Sequence, residues 1–158
     1  MERITRIHKL IFAVNLVRSL GQEPANIINP DSLSAISKEI AETNNLTIKI
    51  ITYSELVRMG AGGLVSVGKG SNAKPALIIF EYKGNPNPNS QWIGLVGKAI
   101  TFDTGGYSLK GVENIQNMKF DKIGGLTVIG TIMAASFLNI PQNLCAAICV
   151  AENMISES

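Results

Sequence analysis

Residues 95–125 read L-V-G-K-A-I-T-F-D-T-G-G-Y-S-L-K-G-V-E-N-I-Q-N-M-K-F-D-K-I-G-G. An apolar run, residues 92–96, leads in and predicts a buried strand. A glycine-led apolar segment, residues 124–138, follows and predicts a helix. Residues 144–151 then form a second apolar run. Strand, helix and strand in that order make a crossover unit of the kind that builds parallel or mixed sheets. Lys98, Asp103, Lys110 and Asp121 fall between the first strand and the helix. They are expected on glycine-rich loops at the strand's carboxyl end, where open α/β sheets place their sites. Gly105-Gly106 permits a sharp turn after Asp103, and Gly124-Gly125 lets the helix begin close beneath it.

Working outward, residues 2–20 carry Ile4, Ile7, Ile11, Val14 and Val17 at helical spacing, closed by Gly21. Arg3, Arg6 and Lys9 read as the solvated side of that helix, with His8 beside Lys9 on the surface. A second helix is expected to about Thr43, capped by Asp31 or Ser32, with Leu33, Ile36 and Ile40 inward. Residues 46–52 alternate as a strand, and Ser54 is placed to cap a short helix through Met59. Residues 76–82 form a further strand. The turn G-N-P-N-P-N-S at residues 84–90 joins it to the strand at 92, so residues 76–98 are expected to be a hairpin. The result is an α/β fold: a mixed, largely parallel sheet flanked by helices. The last apolar strand is expected to need something further to cover it.

The 158 residues suffice for one domain with a core; 46% are hydrophobic and 16% charged. A net charge of +2 with no basic cluster points away from nucleic acid. No secretory leader is visible and no membrane span is expected. The most apolar long segment, residues 123–138, holds three glycines and two threonines and fits a buried helix. Cys145 and Cys149 are expected as buried free thiols in a reducing compartment. Residues 63–69 match G-x-x-x-x-G-K, yet Gly70 stands where a phosphate loop needs Ser or Thr. Neither a preceding strand nor a following helix is expected there, so the stretch reads as a glycine-rich connection rather than a nucleotide site. With one histidine, neither a Ser-His-Asp triad nor a histidine-based metal site is available in this chain. Asp103 and Asp121 are hard oxygen donors suited to divalent cations. By residue type alone, two carboxylates and two lysines on loops are more often a solvated surface.

The segments V-G-K-A-I-T-F-D-T-G-G-Y-S-L-K and M-K-F-D-K-I-G-G resemble the leucyl (cytosol) aminopeptidase family. Flanking pieces agree: E-P-A-N at Glu23, V-G-K-G-S at Val67, E-Y-K-G-N at Glu81 and A-E-N-M at Ala151. The resemblance covers essentially the whole chain. It implies a metal-dependent aminopeptidase that removes N-terminal, preferably leucine-like residues from peptides using two divalent cations (Zn²⁺, Mn²⁺ or Mg²⁺). It implies that Lys98 ligates one metal as a neutral amine, that Asp103 bridges both metals, and that Asp121 binds one. Lys110 is implied to face the substrate carbonyl, and Met118 to line the pocket for the first side chain. A cytoplasmic protein, hexameric as the family is, follows from the same resemblance.

The family's second motif, N-T-D-A-E-G-R, brings an Asp, a bridging Glu and an Arg, and has no counterpart in residues 142–158. Glu152 and Glu157 lack its context. The expectation is therefore a single partial catalytic domain over residues 1–158, without the family's N-terminal domain and inactive in isolation. The alternative is a non-catalytic fragment that binds or assembles with full-length subunits.

Overall fold

A computed structural model describes residues 2–156; Glu157 lies outside the described residues. The chain runs α1 (Glu2–Gln22), α2 (Pro30–Thr43), β1 (Thr47–Ile51), α3 (Tyr53–Arg58), α4 (Gly62–Gly68), β2 (Ala76–Lys83), β3 (Trp92–Asp103), α5 (Val112–Ile115), a 3-10 helix (Met118–Lys122), α6 (Ile123–Phe137) and β4 (Asn143–Asn153). The strands form one sheet in the order β1-β2-β4-β3.

The crossover unit forms as the hydrophobic pattern dictates. β3 and β4 are parallel neighbours, with α6 between them in sequence and packed on both. Ile78 and Phe80 of β2, Ala146, Ile148 and Val150 of β4, and Ala99 of β3 alternate onto one buried face. There they meet Leu126, Ile129, Ile132 and Met133 of α6 and Leu33 and Ile40 of α2. Gly125 is what lets α6 lie so close. A Cβ there would stand 2.5 Å from Ala99 Cβ and 2.8 Å from Ile148 Cγ2, while one on Gly97 would stand 2.7 Å from Gly125 Cα.

The mixed α/β sheet flanked by helices is thus as expected, but its balance differs. β1–β2 and β2–β4 are antiparallel, and only β3–β4 is parallel. The hairpin expected over residues 76–98 does not form, because β4 inserts between β2 and β3. The reason is burial. β4 is apolar along most of its length, and the central place gives its backbone a partner on both sides. This also corrects the expectation that the last strand is left uncovered. β1 and β3 are the two edges of the sheet, and at the β3 edge Trp92, Ile93 and Val96 are exposed.

The helices bring further corrections. Asn29, rather than Asp31 or Ser32, caps α2: its Oδ1 accepts from Ser32 N–H while Ser32 Oγ accepts from Asn29 N–H, both at 2.9 Å. Thr52, not Ser54, precedes α3, and its N–H donates to Glu55 Oε2 at 2.8 Å. Residues 62–68, read as a connection, are helical. The apolar stripe of α1 is largely in solvent: Ile4, Ile7, Ile11 and Val14 are exposed, and burial begins at Ala13. His8 is on the surface as expected. The 3-10 helix and α6 run on as 20 helical residues, Met118–Phe137, apolar and long enough by composition to cross a membrane. Here that run is the core helix of the sheet. Cys145 and Cys149 are free but half-buried, on the sheet face away from α6.

Candidate functional site

The site begins with a break in β3. Lys98 and Asp103 are five residues apart, and in an unbroken strand an odd separation places side chains on opposite faces. The register shows what happens instead. Lys98 aligns with Cys149, Ile100 with Ala151 and Asp103 with Asn153, so β3 places two residues between Ile100 and Asp103 where β4 places one between Ala151 and Asn153. This bulge returns Asp103 to the face that Lys98 occupies. Both residues therefore belong to the strand, not to loops as expected, with Asp103 its last residue.

Asp103 is held on both carboxylate oxygens. Its Oδ2 accepts from Lys110 Nζ at 2.6 Å, and its Oδ1 accepts from Asn153 Nδ2 at 2.7 Å and from Gly105 N–H at 3.0 Å. Burial pushes this carboxyl upward. The bonds from Lys110, Asn153 and Gly105 more than offset that and hold its pKa at about 2. Gly105 and Gly106 take φ of +92° and +63°, the left-handed conformations that reverse the chain after the strand. The reversal brings Lys110 back to Asp103.

Asp121 lies on the 3-10 helix, which packs along β3. Its Oδ2 is shut off from solvent and stands 2.6 Å from Lys98 Nζ, its charge partner. A buried acceptor oxygen so placed fits a divalent cation, which takes hard oxygen donors without the directional demand of a hydrogen bond. Among the described residues no three His, Cys, Asp or Glu gather to hold a metal. The available donor set is Asp103, Asp121 and the amine of Lys98. Met118 is half-buried, its Sδ 3.1 Å from Lys110 Nζ, so Lys110 links Asp103 to the 3-10 helix that carries Asp121. The four charged residues thus form two carboxylate–lysine pairs, Asp103–Lys110 and Asp121–Lys98.

Sequence reasoning assigned no role to three further residues. Asn153 touches Asp103 directly. Ser71 Oγ donates to Glu152 Oε2, which ties the V-G-K-G-S stretch to A-E-N-M. Lys122 is fully buried, and its Nζ donates to Glu23 O at 2.8 Å and also to Lys119 O. Burial pulls its pKa down to about 8. The place of A-E-N-M at the end of an apolar strand could have marked Asn153; nothing in the local sequence marks Lys122 as buried.

Fold and site together define an α/β domain with a charged, oxygen-rich cluster near the carboxyl end of a parallel strand pair. The profile of the cytosol aminopeptidase family, catalytic domain, matches residues 15–158, and the chain belongs to that family. It is 39% identical over 142 residues to the cytosol aminopeptidase of Vibrio cholerae, covering 89% of this chain and 28% of the relative. Two solved structures share the fold. The bottromycin maturation enzyme BotP in complex with Mn has a TM-score of 0.84 at 32% identity, covering 92% of this chain and 31% of BotP. The leucine aminopeptidase LAP1 of Caenorhabditis elegans has a TM-score of 0.89 at 28% identity, covering 97% and 32%. The chain thus spans under a third of the length of each.

Proposed function

We propose that these 158 residues are one part of the catalytic domain of a metal-dependent aminopeptidase, and that they contribute Lys98, Asp103 and Asp121 to its metal site. The observation that carries this reading is the solvent-shielded Oδ2 of Asp121 paired with Lys98 Nζ. Family membership, and manganese in the solved BotP complex, support the choice of divalent cations. Such cations, two in the full site and drawn from Zn²⁺, Mn²⁺ or Mg²⁺, would polarise a scissile carbonyl and lower the pKa of water so that hydroxide is available to attack it.

The chain's own groups have distinct tasks. Asp103, locked on both oxygens, would be a rigid carboxylate ligand to both cations. Asp121 would hold one cation from the 3-10 helix, together with Lys98 as a neutral amine. Lys110 Nζ, now on Asp103, stabilises negative charge that develops on the substrate carbonyl oxygen. Met118, beside Lys110, lines an apolar subsite for a leucine-like first side chain. The substrates are peptides with a free N-terminus. A cytoplasmic place belongs to the same reading, as the relatives are named cytosol aminopeptidases, and assembly into hexamers follows from the family resemblance alone.

The chain spans 28% of the Vibrio relative, so the remaining ligands are assigned to sequence outside these residues. The isolated chain is then expected to bind Mn²⁺ weakly and to leave leucine amide intact. Loss of the free Mn²⁺ electron paramagnetic resonance signal on titration reads the first, and amide hydrolysis the second. Asp121→Ala and Asp103→Ala should each abolish Mn²⁺ uptake. Uptake that survives the double variant sinks the ligand assignment; turnover that Asp103→Ala removes sinks the claim of inactivity.

A further inference from the structure

We infer that Asn153 is a positioning residue for the metal site: its side-chain amide, reaching across from β4, sets the orientation in which Asp103 meets a cation. The inference rests on the ligand role proposed above for Asp103.

Four observations carry it. Asn153 is the ladder partner of Asp103 immediately after the bulge that re-aims β3. Its Nδ2 lies 2.7 Å from Asp103 Oδ1. An ionised carboxylate only accepts, so the amide must present its NH₂ group there. Asn153 is itself fixed, because its carbonyl accepts from Thr104 N–H at 3.1 Å and from Thr104 Oγ1 at 2.7 Å. Finally, the loop leaves room for it: a Cβ on Gly106 would stand 2.9 Å from Asn153 Oδ1.

The other two donors do not serve this purpose. Gly105 N–H comes from two residues along the same turn and moves with Asp103. Lys110 Nζ ends a flexible stem and is required by the substrate. Asn153 is the donor anchored to a different strand, and it leaves Oδ2 open to a cation when Lys110 turns away. Groups that hold a ligand from behind in this way typically change metal affinity by about 10- to 100-fold when removed.

The experiment uses the full 158-residue chain with Asn153→Ala, Asn153→Asp and, as a structural control, Thr101→Val. Thr101→Val removes a buried hydroxyl that donates from β3 to Ala151 O of β4, and touches neither the Asp103 carboxylate nor Asn153. In the metal-free protein, three-bond couplings to Asp103 Cγ report its χ1 population. A single rotamer in the parent and in Thr101→Val, averaged in both Asn153 variants, is the expected result. A single rotamer in the Asn153 variants, or equal averaging in Thr101→Val, overturns the inference. Mn²⁺ titration supplies the second readout, with an affinity loss of about 10-fold expected for Asn153→Ala. Unchanged affinity overturns the inference. A parent chain that takes up no Mn²⁺, yet shows the rotamer effect, overturns the ligand role of Asp103 and leaves Asn153 as the residue that orients this carboxylate.

Discussion

Asp103 carries the most chemistry per atom in this chain. A carboxyl with three donors on two oxygens is stabilised as an anion, and its pKa falls to about 2 from the ordinary value of about 3.9. The sign of the consequence follows from linkage. The depressed group contributes stability that is fully present above about pH 4 and is lost as pH falls through about 2. Asp103→Asn should flatten the dependence of unfolding free energy on pH in that window, measured by urea titration at several pH values. Equal slopes in the two proteins would show that the hydrogen bonds do not favour the ionised form. Asp121 differs in kind. Its Oδ2, shut off from solvent, rests on a single charged partner, Lys98 Nζ.

Among the elements, the junction between β3 and α6 decides whether the site assembles. Gly97 and Gly125 allow the helix start to touch the strand, and Asp121 stands in the turn just before that contact. Gly125→Val would drive side-chain atoms into Ala99 and Ile148, and such overpacking costs about 1–3 kcal/mol. The expected outcome is a lower unfolding midpoint together with loss of Mn²⁺ uptake, since the Lys98–Asp121 pair is carried on the two elements that separate. A variant with the lower midpoint but parental Mn²⁺ binding would show that the site does not depend on this contact. The sequence displayed the glycines and the apolar helix period, which is why the crossover unit was legible. It did not display the bulge. One extra residue in a strand leaves no mark in residue types, yet it exchanges the two faces for everything beyond it.

For the molecule as a whole, the edge of β3 is the exposed liability. Val96 is 79% exposed on a strand whose outer backbone groups lack a sheet partner among the described residues. Strand edges of this kind template association unless a charge interrupts them. The isolated chain is expected to self-associate as concentration rises, and Val96→Lys to reduce this, read by light scattering across a concentration series. A monodisperse parent chain would contradict the prediction.

What the sequence determined by itself is local or strictly periodic. The strand–helix–strand unit follows from runs of apolar residues and their spacing, the sharp turn after Asp103 from paired glycines, and the family from long ordered motifs. Tertiary structure alone decided that β4 separates β2 from β3, that Lys98 and Asp103 share a face, and that Lys98 meets Asp121 while Lys110 meets Asp103. It alone brought Asn153 to Asp103, fifty residues away in the chain. The physical reason is the same in each case. These outcomes depend on which backbone groups find partners across the sheet, and that choice is settled by the burial of the whole chain rather than by any one segment of it.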